Sequence, residues 1–498
     1  MKRILRPLAS IVGSLLVALP LSADAQTRVI THEDVWLMHR IGAPALSPDG
    51  RLAVFSVTEP SYDATQTVSD LWLVPTDGKA PARLLTATRG GESGATFSPD
   101  GKLIAFSARR DGDEAEQIYL LPVDGGEARR LTNAPSGASG PRFRPDGGAV
   151  LFQTSFALGA ANLDEHKKLA DEVKARKDTA RTYDAFPVRF WNAWLPKAEP
   201  VIGWQPVDGS APTFIPVAPL RGSFDGAGGE TLNPVWTPDG RSIVFEANDN
   251  RERGMSEPTE TALYSVAASG GKPRRVTPAG VSYSNPVFAP DGLSLYALES
   301  RSPSARQIYF VTRLARLTGP EWGSIKIITE GWDRVVSAFT PSPDGRWIHV
   351  QAEDNGTVKI FRFPSAGGAA EVAYAPESGA VTDLQAGSSA MVGRFSASTD
   401  PGQIVRFDAA TRSVTPLTAF NRERLAQLKL PRPEHFWFTA KNGKKIHSLI
   451  VPPPTVEPAK KYPVIVFPHG GPNSMSADAF STRWNYHLLS SPGYYLVM

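Results

Sequence analysis

Cysteine is absent from the 498 residues, which excludes disulfides, thiolate metal sites and a cysteine nucleophile. An oxidising compartment suits such a chain, because it has no thiol to misoxidise. Histidine is scarce. His32, His39, His166, His349, His435, His447 and His487 are scattered without metal-ligand spacing, so they read as structural or surface residues and no metal is expected. A strong charge of one sign is also missing. Residues 1–25 hold three cations (Lys2, Arg3, Arg6) and one anion (Asp24), so their removal takes the net charge from +3 to about +1. That excludes the basic footprint of a partner for nucleic acid or anionic lipid. Long hydrophobic runs are lacking as well. The apolar stretch Leu8 to Leu21 is broken by Pro20 and is shorter than the roughly 20 residues a membrane span needs. With its basic flank and Ala23-Asp24-Ala25 before Gln26, it reads as a cleaved signal peptide, residues 1–25. The mature chain is then expected outside the cytoplasm, periplasmic or extracellular, and free of the membrane.

What is plentiful is glycine (43) and proline (44), a composition of short strands and tight turns. The triplet Pro-Asp-Gly starts at Pro48, Pro99, Pro145, Pro238, Pro290 and Pro343. Proline presets φ, aspartate accepts a local hydrogen bond, and glycine takes the left-handed conformation that closes a bulged hairpin. A strand-like run follows each triplet, at 51–57, 102–108, 148–154, 241–247, 293–299 and 346–352. A second apolar segment recurs at 69–78, 116–125, 200–209, 261–270, 306–315, 357–367 and 402–411, and most copies trail a short strand such as 82–86 or 128–132. The seventh copy, 381–418, has lost its triplet. Units of 40–55 residues with four strands each read as propeller blades, so the spacing predicts a seven-bladed all-β propeller over 41–418. Each end supplies its own full set of strands, so no strand exchange is expected between first and last blades. A β-sandwich with coincidental turns is the less economical reading.

The third repeat carries an insertion, 155–195. Asn162 and Glu165 form a capping signature before a charged run to about Arg181, with Leu163, Ala170 and Val173 as a weak apolar stripe. The expectation is a mostly solvated helix. Then comes FPVRFWNAW (186–194). Arg189 and Trp191 are candidate ligand contacts overhanging one face. The competing reading is that Trp191 and Trp194 sit in the blade core and pin the insertion.

Residues 26–40 precede the propeller and 419–430 form a charged, helix-like linker. Strands 435–440 and 445–451 follow, joined at Asn442-Gly443, a strong hairpin signal. The continuous apolar run Tyr462 to Phe467 predicts a strand buried on both faces of an α/β sheet. It ends in Pro468-His469-Gly470-Gly471-Pro472, and Tyr494 to Met498 looks like the next strand. A strand running into His-Gly-Gly is how α/β-hydrolases build part of an oxyanion hole. Such a donor is worth about 2.7–4 kcal/mol.

With the segment at 31–50, the Pro-Asp-Gly blades, RFWNAW and YPVIVFPHGGP, the chain resembles the prolyl oligopeptidase family of serine peptidases, in its dipeptidyl-peptidase and acylaminoacyl-peptidase branch. The resemblance implies a propeller capping a hydrolase domain that starts at 431–498, peptide substrates, and Gly471 N–H as an oxyanion donor in the loop His469, Gly470, Gly471. It also implies a nucleophile on G-x-S-x-G, followed by Asp and His. No G-x-S-x-G occurs in these residues; Gly91-Glu92-Ser93-Gly94-Ala95 comes nearest and is expected in a propeller loop. The polypeptide as written, lacking the triad and leaving an open sheet edge, is therefore expected to be an inactive fragment. A binding-only propeller of the TolB type, or an esterase on the same scaffold, are the other readings.

Overall fold

In the computed structural model, four of the six Pro-Asp-Gly turns close by one set of bonds. The Ser47 hydroxyl donates to Asp49 (2.6 Å) and accepts from Leu52 N–H (2.9 Å), while Asp49 accepts from Arg51 N–H (3.0 Å). Ser98–Asp100, Thr237–Asp239 and Ser342–Asp344 repeat the hydroxyl–carboxylate bond. These bonds hold the carboxyls below the usual range, Asp344 at about 2, with the Ser342 hydroxyl as the main cause. The six triplet glycines have φ between +67° and +76°, where a side chain would be strained. The structure describes residues 27–183, 186–224, 229–254, 256–301, 310–470 and 474–498. The expected signal peptide, 1–25, lies outside them.

Antiparallel sheets follow one another along the chain. The first joins Arg40–Ile41 and Ala45–Leu46 to Leu52–Glu59, Val68–Pro75 and Arg83–Leu84. The second is Glu92–Phe97, Leu103–Ala108, Gln117–Pro122 and Arg129–Arg130. The third is Ser139–Phe143, Ala149–Ala157, Ala198–Pro206 and Thr213–Pro216. The fourth is Val235–Trp236, Ser242–Ala247, Ala262–Ala267 and Arg274–Arg275, and the fifth is Ser282–Phe288, Leu295–Ser300, Arg313–Thr318 and Ser324–Ile327. The sixth is Ala338–Pro341, Trp347–Asp354, Thr357–Pro364 and Glu371–Tyr374. The seventh is Ala380–Ala386, Met391–Ala397, Asp400–Asp408 and Ser413–Pro416, tied to the sixth through one parallel pair, Val358 with Ala380.

Apolar side chains fill the space between consecutive sheets. Phe106 and Tyr119 of the second pack on Val54 and Leu71 of the first, and Phe152 of the third packs on Ile118 of the second. The series returns to its start, because Val392 and Ile404 of the seventh sheet pack on Phe55 and Val57 of the first. Closure is by packing. Among the described residues each terminal sheet is built from its own strands.

A threonine lock recurs at the outer strands. The hydroxyls of Thr86, Thr132, Thr277, Thr329 and Thr418 accept the N–H groups of Leu71, Ile118, Leu263, Leu314 and Ile404 at 2.8–3.1 Å. Each satisfies a third-strand donor that the short outer strand leaves unpaired. Thr132→Val is expected to cost about 1–2 kcal/mol in urea unfolding, since it orphans the buried Ile118 N–H and leaves the Gln117 side-chain carbonyl with only Ala134 N–H.

Several expectations need correction. The third strand of the fifth sheet is Arg313–Thr318, so the register read at 306–315 is displaced; residues 302–309 lie outside the described ones. Glu92 to Phe97 is an inner strand and not a loop, bulged where Gly94 takes φ +63°. The insertion helix is Leu163–Ala175, shorter than expected, and it packs through Leu163, His166 and Leu169 while Val173 is exposed. His166 replaces the expected apolar stripe: its Nδ1 accepts Ala157 N–H (2.9 Å) and its ring stacks on Phe156. Trp194 is exposed and stacks on Tyr183, so it is not blade core; Leu195 takes that place.

The segments that flank the ring on either side meet. Arg28 exchanges backbone bonds with Gln427 and Lys429 (2.8 Å each), and Ile30, Val35 and Met38 pack on Leu428, with Phe480 and Leu488 beside them. The helix His32–Leu37 starts in a capping box of Thr31 and Asp34, and Asp34 is ion-paired to Arg28. The segment 419–430 is mostly irregular, with a single helical turn at Arg422–Leu425.

Candidate active site

The terminal segment forms a mixed sheet in the order Glu434–Thr439, Lys445–Val451, Tyr495–Val497, Val464–Val466. Gly443, at φ +80°, closes the first hairpin. The last two strands run parallel, and the chain between them crosses through the helix Tyr486–Ser490. Val464 and Val466 are 56% and 70% exposed, contrary to the expectation of a strand buried on both faces. This strand is the edge of the sheet, and no described residue covers it.

Phe467 N–H donates to Val497 O (2.7 Å), which carries the ladder to the mouth of the loop. His469 is exposed, and its Nδ1 lies 3.2 Å from Ser474 Oγ, which donates to Gly470 O at 2.8 Å. These contacts fold the loop back on itself. A Cβ added at Gly470 would meet nothing within 4 Å, so its backbone faces open space. Gly471 lies outside the described residues. His469, Ser474 and Met475 border a cavity of about 600 Å³, walled by Phe438, Val466 and His447, with Asn355 of the sixth sheet reaching in from the ring.

Sequence reasoning missed what fixes this cavity. Asp478 is 1% exposed. Its carboxylate accepts Gly379 N–H and Ser398 N–H (2.9 Å each), and its own N–H donates to Gly356 O (2.7 Å). Gly356 sits at φ +79°, and a Cβ there would come within 2.9 Å of the His447 ring. Turn glycine and buried aspartate lie 122 positions apart, so no local pattern could announce the pair.

Gly356 and Ser398 lie in loops between second and third strands, so the terminal segment rests on that face of the ring. The insertion and the stretch 248–261 are the same loops of the third and fourth sheets and share this face. Arg189 is exposed on the small hairpin Arg189–Phe190/Ala193–Trp194, which is anchored by Phe190 stacking on Phe224 at 4.7 Å. Trp191 is 78% exposed at the hairpin turn, at φ +47°. Neither residue lines the cavity that holds His469. Beside the base of the insertion is a second cavity, about 220 Å³, bordered by Glu116, Ser136, Gln153, Glu199 and Glu230. Burial pushes the Glu116 carboxyl above its usual range. No motif singled out Glu116; only its place in the fold does.

Residues 64–172 match the family model of the Tricorn protease N-terminal beta propeller domain. Dipeptidyl-peptidase 5 of Porphyromonas gingivalis is 25% identical over 505 aligned positions, covering 98% of this chain and 70% of that protein. Dipeptidyl-peptidase 5 of Aspergillus fumigatus is also 25% identical, covering 96% of this chain and 69% of that one. The solved acylaminoacyl peptidase of Pyrococcus horikoshii superposes with a TM-score of 0.71 at 17% identity, over 94% of this chain and 66% of its own. That likeness shows a shared fold. The sequence likeness runs through ring and terminal sheet alike, so it is not the general similarity of one propeller to another. This likeness supports a serine-type peptidase of the prolyl oligopeptidase kind.

Proposed function

We propose that residues 41–418 form a seven-bladed propeller seated on the leading part of an α/β-hydrolase domain, 431–498. Together they would belong to an exported serine exopeptidase that releases dipeptides or blocked residues from short peptides. The observation that carries this reading is the strand Val464–Val466 running into His469 and Gly470 at a cavity that the ring roofs through Asn355. In this reading Gly471 N–H and the N–H after the nucleophile stabilise the tetrahedral oxyanion. The ring restricts entry to peptides, and the 498 residues alone, having no G-x-S-x-G, do not turn over substrate. Arg189 and Trp191 remain proposed substrate contacts at the mouth of the shared face.

Activity is tested on a polypeptide that joins this chain to a segment bearing G-x-S-x-G, Asp and His. It is expected to release p-nitroaniline from dipeptidyl p-nitroanilides, and Ser→Ala at the elbow is expected to abolish release; unchanged turnover would sink the serine mechanism. Export is tested by sequencing the N-terminus of the secreted product, expected at Gln26.

The partly desolvated Glu116 fits the α-amino group of an unblocked peptide, because a cation restores the stability its carboxylate loses by burial. Glu116→Gln in the active polypeptide is expected to raise KM for dipeptidyl substrates about tenfold with kcat little changed, a difference of about 1.4 kcal/mol. Equal KM values would remove Glu116 from the site.

A further inference from the structure

Glu230 is a single buried carboxylate that meets two guanidinium groups. Arg221 Nη2 lies 2.5 Å and Arg251 Nη1 2.7 Å from its Oε1, and Oε2 accepts Gly222 N–H at 2.9 Å. Both oxygens thus have partners, and among the described residues two cations share this one anion. The three side chains are 14% (Arg221), 10% (Arg251) and 9% (Glu230) exposed, so this unmatched positive charge sits largely out of water. That arrangement is costly unless a further anion joins it. Among the described residues, neither Nε of Arg221 nor Nε of Arg251 has a hydrogen-bond partner. The Arg251 guanidinium lies over the Phe224 ring at 5.0 Å, which orients the group without neutralising it. Burial lowers the Arg251 pKa, and the neighbouring Arg221 charge adds to it, against the opposing pull of Glu230 and Glu252.

Both arginines border one cavity of about 210 Å³, with Tyr183 and Pro187 on its wall and Lys197 at its edge. Lys197 Nζ bonds the neutral Thr182 hydroxyl (3.0 Å), so it adds a cation without bringing an anion. Among the described residues, the one carboxylate on the lining, Glu252, is exposed. The cavity opens on the ring face that carries the terminal sheet.

We propose that this cavity holds a carboxylate of the peptide substrate, either its C-terminus or an acidic side chain. A fixed guanidinium pair matches the planar two-oxygen geometry of a carboxylate. The volume admits that group with its neighbouring atoms and no folded partner. The inference rests on the peptidase reading for what brings a carboxylate there, while the site itself stands on the charge count.

Isothermal titration of the 498-residue chain provides the test, because it reads binding without turnover. Two peptide pairs serve as probes: Ala-Ala-Ala against its C-terminal amide, and Ala-Asp-Ala-amide against Ala-Asn-Ala-amide. A roughly tenfold preference within the first pair assigns the site to the C-terminal carboxylate, and within the second to an acidic side chain. Equal affinity within both pairs, or no binding by any of the four, overturns the proposal. Arg251→Gln is expected to erase the preference and Arg251→Lys to keep part of it, each checked for an unchanged melting temperature. A preference that survives in a folded Arg251→Gln chain also overturns it. Failure of the cleavage test leaves these binding outcomes readable, so the two ideas fall separately.

Discussion

Replacing Asp478 with alanine is expected to lower the unfolding free energy by about 3–4 kcal/mol and to release the terminal segment before the ring. The carboxylate is buried and accepts two backbone N–H groups from different loops of the seventh sheet. Its removal leaves both donors in a site closed to water, at about 1–3 kcal/mol each. The backbone bond from Asp478 N–H to Gly356 O survives, so the contact is weakened rather than erased. Asp478→Asn keeps one acceptor oxygen and turns a donor toward one of the two N–H groups, so it is expected to recover less than half the loss. Urea unfolding followed by tryptophan fluorescence reads the effect, since Trp484 and Trp437 report on the terminal segment. Limited proteolysis should cut first between residues 452 and 463. A change under 0.5 kcal/mol for the alanine variant would mean that Asp478 is not what holds the segment to the ring.

The propeller was legible because its determinants are local. Ser/Thr-Pro-Asp-Gly encodes a whole turn within four residues: hydroxyl, fixed φ, acceptor and left-handed glycine. The same holds for Asn162 with Glu165 and for Asn442-Gly443. Where the chain depends on distant partners, the pattern misled. Val464 and Val466 carry the composition of a buried strand, yet burial depends on what lies against them. His166 read only as structural or surface, and it is the packing pivot of the insertion, because a neutral imidazole can accept Ala157 N–H and stack on Phe156 at once. The trailing Leu-Thr pairs were visible as strands, but the work of the threonine hydroxyl required the neighbouring strand to be seen. Glu116, Arg221, Arg251 and Asp478 carry no motif at all. Their chemistry comes from which loops share one face of the ring.

Acidification should weaken the fold well before its carboxylates are titrated, through two histidines. His349 (3% exposed), on the second strand of the sixth sheet, sits edge-on to Phe407 of the seventh, and His487 (1% exposed) lies in the helix Tyr486–Ser490. Neither ring has a hydrogen-bond partner among the described residues. Burial is the main cause that holds both pKa values down, from the ordinary 6.5 to about 4; Arg362 adds to it at His349. The native state therefore keeps both rings neutral where the unfolded chain would protonate them. Between pH 6.5 and 4 the unfolded state binds the extra protons, so stability falls as pH falls, by about 1.4 kcal/mol per pH unit for each histidine. At pH 4.5 the loss is about 2–3 kcal/mol per histidine relative to pH 7, and it levels off below pH 4, where both states are protonated. Glu116 and Glu246, whose carboxyls burial pushes up, act in the opposite sense and gain relative stability in acid. The histidine contribution is therefore isolated by substitution. His349→Leu gives up no hydrogen bond at neutral pH, so its unfolding free energy at pH 7 should stay within about 1 kcal/mol of the parent. Its loss between pH 7 and pH 4.5 should shrink by about 2–3 kcal/mol. His487→Leu should produce the same reduction independently, because the two rings lie in different parts of the molecule and share no partner. A double variant that keeps the parent's full acid sensitivity would show that carboxylates, and not these two rings, set the lower pH limit of the fold.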